Sequence, residues 1–391
     1  MQIQADGLGS TSSAMRSAVG DRWWPHSRVL LEWYAPTPRT GQVSFRGSSA
    51  HFENRNHAQC KTTIEPSWIT VDHEVDVTVD QPGPATGPAQ PPVGRCRRVR
   101  SMGITVSQLT GVVGARIDGL DLGPDMDPAE VADLRSALVT HEVVVVPGQT
   151  LSPGEQAGFS HLLGGFSPVP FVQPVPEHPE VIKVVKEASE SAAFNFGGVW
   201  HSDFSFLDAP PAFTILHALD VPAVGGDTVW ASMTAAQEAL EVADRERLEE
   251  ITCVHSASAS YSPAQQKLHA GLSGMDIRTS ESAEETRDHP LLCTHPETGR
   301  RSLYFNGTYV RGLRGPGVGD GTESGAAEEK RLLRWLHDFT THIRFTCRHR
   351  WSNGDVVLWD NRSTQHLALN DYPGQRRELH RTTVAGTEPT A

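Results

Sequence analysis

Cysteine is scarce in this chain. The five thiols, Cys60, Cys96, Cys253, Cys293 and Cys347, are odd in number, far apart and never in a CxxC pair. That pattern excludes a disulfide framework and a cysteine metal site, and it points to a reduced, cytoplasmic protein. Long apolar runs are missing as well. No window approaches ~18 consecutive apolar residues, which excludes a transmembrane helix. The N-terminus lacks a basic start followed by an apolar stretch, so a secretory signal is not expected. Positive charge is in deficit, with 34 Lys and Arg against 47 Asp and Glu and a formal net charge of −13. This balance argues against nucleic-acid and anionic-membrane partners. It leaves an anionic small molecule open, because a few local arginines decide that. No internal repeat is present.

What is there divides unevenly. At roughly 100–200 residues per domain, 391 residues allow two or three domains, or one large domain with an appendage. The first 101 residues carry 11 Lys and Arg against 9 Asp and Glu, whereas the remaining 290 carry 23 against 38. The first segment shows no sustained helical or alternating pattern. It contains the proline-glycine run Gln81–Pro92 and then a basic cluster, Arg95, Arg97, Arg98 and Arg100. Such a run packs no core, so residues 1–101 are expected to be a disordered extension or a mis-assigned start upstream of Met102. Four of the nine tryptophans lie there, which keeps a small accessory domain as a third reading.

From Ile104 the punctuation becomes regular. Ile104–Leu109 and Val112–Ile117 read as short strands. Asp127-Pro128-Ala129-Glu130 and Ser152-Pro153-Gly154-Glu155 both have helix-start grammar: an N-cap, a first-turn proline and a capping-box glutamate. Val143–Val146 predicts a buried strand. Helices are expected over Thr234–Leu240, near Arg245–Ile251, and over Glu328–His342, the last with Leu332, Leu333, Leu336 and Phe339 on its apolar face. Thr214–Leu219, Leu303–Phe305, Ile343–Arg348 and Val356–Trp359 read as strands. Many short strands with few helices suggest a mainly β domain over 102–391, an antiparallel barrel or jelly roll with flanking helices. Gly315–Gly325 reads as a mobile insertion.

The segment Trp200-His201-Ser202-Asp203-Phe204-Ser205-Phe206 is the most informative. In an extended strand His201 and Asp203 would share a face, so an imidazole and a carboxylate could grip one metal ion. A candidate third ligand, His366, lies in Trp359-Asp360-Asn361-Arg362-Ser363-Thr364-Gln365-His366. Two histidines and a carboxylate suit Fe(II) and leave positions open for other ligands. A bare HxD arises by chance in a chain with 18 histidines, so the triad alone does not decide the matter. His255, His295, His337 and His349 read as surface or core histidines. His217 and His380 lack a paired carboxylate.

The joint pattern is more specific. WHSDFSF at 200–206, PP at 210–211, GGDTVWASM at 225–233, HPETGRRSLYFN at 295–306 and WDNRSTQH…NDYPGQRRELHRTTVAG at 359–386 occur in order over Met102–Thr387. In these the chain resembles the taurine dioxygenase/TfdA family of Fe(II)- and 2-oxoglutarate-dependent dioxygenases. The resemblance implies a double-stranded β-helix, a jelly-roll barrel, with His201, Asp203 and His366 as catalytic metal ligands. It implies that Arg377 binds the distal carboxylate of 2-oxoglutarate, that Thr228 assists, and that Arg381 contacts an acidic substrate. A guanidinium suits the first of these tasks because its planar fork pairs bidentately with a carboxylate. Phe204, Phe206 and Tyr309 match positions lining the substrate pocket. Arg362 and Arg376 read as bracing or exposed. The implied reaction consumes O2 and 2-oxoglutarate and gives succinate and CO2. It hydroxylates a small acidic organic substrate, with C–S or C–O cleavage where the hydroxylated carbon carries sulfonate, sulfate or ether oxygen. Asp203 sets the chain apart from iron halogenases, where chloride replaces the carboxylate.

Two departures bear on substrate. Taurine-specific members have a histidine just after the second helix and an asparagine four residues before the first ligand. Here residues 165–170 hold no histidine, and Gly197 takes the other position. A larger or less polar acid than taurine is therefore expected: a sulfonate, a sulfate ester, an aryloxyalkanoate or another carboxylate. A homo-oligomer is expected. A zinc-type metallohydrolase using the same three ligands and a non-catalytic acid-binding barrel are the alternatives.

Overall fold

The computed structural model describes residues 104–191 and 195–391. The expected extension over 1–101, with Cys60 and Cys96, lies outside the described residues. In chain order come β1 (Thr105–Gln108), β2 (Ala115–Asp118), α1 (Pro128–His141), β3 (Val143–Val146), α2 (Pro153–Leu163), β4 (Pro174–Val175) and β5 (His178–Lys186). Next are β6 (Phe213–Asp220), β7 (Thr228–Ser232), α3 (Met233–Glu238), α4 (Val242–Leu248), β8 (Thr252–Ser256), α5 (Ser258–Tyr261) and α6 (Gln266–His269). The chain ends with β9 (Thr286–Pro290), β10 (Leu292–Thr294), β11 (Arg301–Leu303), β12 (Val310–Arg314), α7 (Glu323–Thr340), β13 (Thr346–His349), β14 (Val356–Asp360), β15 (Thr364–Ala368) and β16 (Arg377–Val384).

The chain is mainly β with some helices. An eight-stranded sheet runs β1-β2-β3-β14-β6-β16-β5-β4, and a three-stranded sheet, β13-β7-β15, faces it. Among the described residues, only the β2–β3 pairing is parallel. A second three-stranded sheet, β12-β8-β9, and the β10–β11 pair complete the β structure among the described residues.

The four valines of β3 show why the large sheet is central. Val144 and Val146 join Leu134, Leu138 and Phe159 under α1 and α2, while Val143 and Val145 join Trp230 and Trp359 between the two facing sheets. A strand buried on both faces needs an apolar residue at every position rather than alternation. Strand β14 splits likewise, with Val356 and Leu358 toward the helices and Val357 and Trp359 toward the small sheet. Both expected N-caps form, but only the second start has the expected capping box; Glu130 makes none with Asp127. Asp127 accepts from the Ala129 N–H at 2.8 Å. Ser152 and Glu155 form a reciprocal capping box.

Three expectations are corrected. The last helix starts at Glu323, not Glu328, because Thr322 caps it by accepting from the Gly325 N–H at 2.9 Å. The glycine-rich stretch before it is a tied-down turn rather than an insertion: Gly315 and Val318 exchange backbone bonds, and Gly319 N–H donates to the Gly325 carbonyl. Over 343–345 the chain forms a 3-10 turn before β13 instead of a continuous strand. Cys253, Cys293 and Cys347 are buried free thiols, and burial pushes Cys293 and Cys347 up to about 12. No helix among the described residues is long and apolar enough to cross a membrane.

Candidate active site

The site lies at one end of the two facing sheets, where the segment after Val199 meets β15. His201 and His366 form an isolated antiparallel bridge, each N–H bonding the other's carbonyl at 3.0 and 2.7 Å. Their ring centroids are 4.0 Å apart. His201 Nδ1 lies 2.7 Å from the Val199 carbonyl, an acceptor only, so Nδ1 carries the proton and the Nε2 lone pair stays free. That Nε2 lies 3.7 Å from Asp203 Oδ1.

The HxD pair does not achieve this as one strand face. Residues 203–206 form a turn, and Phe204 adopts a left-handed φ of 48°. The expectation of strand alternation is thus corrected: a tight turn, unusual for a non-glycine residue, swings Asp203 back beside His201. Ligand atoms of His201, Asp203 and His366 all fall within 4.8 Å of one another, and all three residues are buried. The arrangement is a two-nitrogen, one-oxygen cluster open to a cavity.

Electrostatics keeps these groups in ligating form. Burial pushes the Asp203 carboxyl up, but the Arg381 guanidinium, the two imidazoles and the Thr214 hydroxyl together hold it below the usual carboxylate range. Burial lowers His201, with Arg381 adding to the effect against Asp203. His366 lies well below the ordinary histidine value through burial and the neighbouring His201. Arg381 Nη1 donates to Asp203 Oδ1 at 3.1 Å, and its Nε and Nη2, both buried, have no protein acceptor. The guanidinium rests on the Phe204 ring at 4.9 Å.

Arg377 and Arg381 share one face of β16 with Leu379, which belongs to the core between the sheets. Arg377 is 5% exposed, yet its Nε and Nη2 find no acceptor. Burial lowers its pKa, opposed by Tyr372 and Asp227. Its guanidinium lies 5.7 Å from the Trp351 ring, and the Trp351 indole N–H donates to Thr228 Oγ1 at 3.0 Å. Trp351 therefore touches both expected co-substrate residues. Gly226, at φ +72°, passes so close that a Cβ there would sit 3.2 Å from Arg377 Cδ. The double glycine before Asp227 and Thr228 provides that close approach.

A cavity of about 260 Å³ opens over the cluster, lined in part by His201, Asp203, Phe204, Tyr261, Tyr309 and Arg381. Gly197 lines it without a side chain, and a Cβ there would meet His201 Cε1 at 3.4 Å. Phe206 does not line it and instead backs Tyr309 at 4.9 Å. Arg377 lines a narrow adjoining crevice with Asn195 and Tyr372. The histidines set aside in the sequence lie elsewhere, while His269 also lines the cavity. His217 and His380 pair across β6 and β16. By alternation they point to the helix-covered face, away from the cavity. His295 and His349 do have carboxylate partners, Asp360 and Asp355, each at 2.9 Å. Arg362 braces Asp360 and Glu297, and Arg376 braces Glu187, Asp220 and Glu378.

Sequence reasoning missed Tyr261, Thr214, Asn361 and Trp351. Tyr261 stacks on Phe171 at 5.0 Å and shares a hydrogen bond with Tyr309. Nothing local marks it, because it ends a four-residue helix remote in sequence from the HxD segment. Asn361 sits inside the WDN string and was readable there only as a neighbour of His366.

The sequence model of the Taurine catabolism dioxygenase TauD, TfdA family matches residues 105–383. The chain belongs to this family. It is 34% identical over 287 residues to the alpha-ketoglutarate-dependent sulfate ester dioxygenase of Pseudomonas putida, covering 73% of this chain and 91% of that protein. It is 30% identical over 302 residues to the alpha-ketoglutarate-dependent 2,4-dichlorophenoxyacetate dioxygenase of Burkholderia sp. (strain RASC), covering 73% and 95%. Among solved structures, AAD-2 in complex with Mn(II) and N-oxalylglycine superposes with a TM-score of 0.57 at 27% identity, covering 74% of this chain and all of that one.

Proposed function

We propose that this TauD/TfdA-family dioxygenase binds Fe(II) through His201, Asp203 and His366 and uses 2-oxoglutarate and O2 to hydroxylate a small acidic organic molecule. The observation that carries the reading is the convergence of three buried ligand atoms within 4.8 Å at the base of a cavity. The donor set fits the metal: two imidazoles held neutral and a carboxylate held ionised. When bound, Fe(II) with 2-oxoglutarate supplies the dioxygen activation that oxidises a C–H bond, with succinate and CO2 as co-products.

The chain's residues do the rest. Arg377 is a buried cation with two unpaired N–H donors, and it would receive the distal carboxylate of 2-oxoglutarate as a fork, with Thr228 assisting. A hydrolase needs no such anion and would leave that charge buried and uncompensated. Arg381 would anchor the acidic group of the substrate through the Nε and Nη2 that Asp203 does not use. Phe204 and Tyr309 wall the cavity, and Phe206 supports Tyr309. Asp203 is the one carboxylate among the lining residues, and it is already committed to Arg381 and Thr214. No free carboxylate awaits an ammonium group, so a monoanion with an apolar body suits the cavity better than taurine. Sulfate esters, sulfonates and aryloxyalkanoates meet that description.

The facing sheets are read as a double-stranded β-helix, a jelly-roll barrel, with residues 102–391 as the catalytic unit. The unit is assigned to the cytoplasm as a homo-oligomer acting on a small acid, with neither nucleic acid nor membrane as partner. The test is succinate formation with Fe(II), ascorbate and 2-oxoglutarate across a panel of sulfate esters, sulfonates and aryloxy acids. Substrate-dependent succinate is expected. Absence of succinate throughout, together with no metal binding, would overturn the reading.

A further inference from the structure

Asp203 is held by a hydrogen-bond chain that has only one possible direction. Asn361 Oδ1 receives the Trp359 indole N–H at 3.0 Å and the Asp203 backbone N–H at 3.3 Å. Both are pure donors, so the atom they meet must be the amide oxygen. The Asn361 NH2 is thereby aimed at Thr214 Oγ1, 2.8 Å away. With a donor arriving at its oxygen, the Thr214 hydroxyl turns its own hydrogen to Asp203 Oδ2 at 2.7 Å. Every member is at most 2% exposed, so water does not substitute for any link. The consequence falls on the carboxylate. Oδ2 takes the Thr214 hydroxyl, while Oδ1, which also accepts from Arg381 Nη1 at 3.1 Å, is the oxygen that faces His201 Nε2 at 3.7 Å.

The backbone anchors the hub as well. Asn361 N–H donates to the Ala212 carbonyl at 2.9 Å, and the Ser202 hydroxyl donates to the Asn361 carbonyl at 2.8 Å. Residue 361 thus ties three pieces of chain together: the end of β14, the approach to β6 and the turn bearing Asp203.

We infer that Asn361, acting through Thr214, is a positioning residue that fixes the rotation of the Asp203 carboxylate so that it offers one oxygen, Oδ1, to a divalent cation. The inference rests on the reading of His201, Asp203 and His366 as a cation site. Groups that orient a metal ligand in this way typically contribute roughly 10–100-fold to metal affinity. Thr214→Val removes the hydroxyl at nearly constant volume, and Thr214→Ser keeps it. Asn361→Asp keeps the shape of the hub but cannot donate to Thr214, which frees the Thr214 hydroxyl to turn away from Asp203.

The experiment measures the Mn(II) dissociation constant of the full chain, from the electron paramagnetic resonance of free Mn(II) and without 2-oxoglutarate, alongside the melting temperature. Thr214→Val and Asn361→Asp are expected to weaken Mn(II) binding by roughly 10–100-fold. Thr214→Ser is expected to stay within about threefold of wild type, with the melting temperatures of the two Thr214 variants close together. A merely structural role would not separate serine from valine. Mn(II) binding within about twofold of wild type in Asn361→Asp, or equal weakening in Thr214→Val and Thr214→Ser, overturns the inference. Asn361→Asp decides alone should Thr214→Val not fold. A wild-type chain that takes no Mn(II) overturns the cation-site reading itself.

Discussion

His201 and His366, 165 positions apart in sequence, are joined by two backbone hydrogen bonds of 3.0 and 2.7 Å and by rings 4.0 Å apart. The backbone, more than the side chains, fixes their spacing. Replacing one imidazole therefore leaves the bridge in place. His366→Ala is expected to reduce succinate formation to background and abolish Mn(II) binding while the far-ultraviolet circular dichroism is unchanged. Retained Mn(II) binding at wild-type affinity would remove His366 from the ligand set.

Arg377 is the clearest case of function held against stability. Arg377→Lys keeps a charge but loses the fork, and the KM for 2-oxoglutarate should rise by roughly 10–100-fold with Mn(II) affinity unchanged. Arg377→Met removes a buried, unpaired cation, and the inactive protein should be more stable by about 1–4 kcal/mol in urea unfolding. A destabilised Arg377→Met protein would show that the guanidinium has a partner it does not display here.

Arg381→Gln is expected to raise the KM for an acidic substrate by at least about 30-fold, since truncating one side of a buried charge pair costs about 2 kcal/mol or more. The preference for an acid over its neutral amide or ester analogue should fall with it. An unchanged substrate profile would remove Arg381 from the substrate site.

Glu142 gives a pH signature of stability remote from the metal ligands. Burial pushes its carboxyl up, Ser232, Thr234 and Arg300 pull it back, and it settles at about 7. A folded-state value above the unfolded 4.5 means the folded chain holds the extra proton in between. The associated stability is complete below pH 4.5 and is lost progressively as pH rises to about 7. Between pH 5 and pH 7.5 the wild type should lose on the order of 2 kcal/mol relative to Glu142→Gln, measured by denaturant unfolding. Parallel curves for the two proteins would contradict this.

Residues 102–391 expressed alone should retain the full kcat/KM of the complete chain. Loss of activity or solubility in that protein would give the first 101 residues a role.

The legible parts of the fold were those in which one residue's chemistry suffices. Four successive valines permit burial on both faces, and Ser152 with Glu155 states a helix start outright. β5 was not legible, because His178, Pro179, Glu180 and Lys183 interrupt its apolar pattern and its pairing with β16 and β4 makes it a strand. At the site, the ligand types were readable as candidates from residue chemistry, whereas the roles expected of the two β16 arginines came from the family resemblance. The turn that aims Asp203 was not, because a left-handed Phe204 has no sequence signature. The partners of Asp203 escaped for a different reason. Thr214 and Asn361 gain meaning only when β6 and β14 lie side by side, with Thr214 opposite Trp359 in the register.

That register also says what a cation would do mechanically. His366 belongs to the small sheet through β15, whereas Asp203 is fastened to the large sheet through Thr214 in β6. An ion held by both would be a rivet between the two sheets. Occupancy and unfolding are then linked, and free cation at a thousand times its dissociation constant adds about 4.1 kcal/mol to the folded state. A chelator should accordingly lower the melting temperature of the wild type and leave that of His366→Ala where it was.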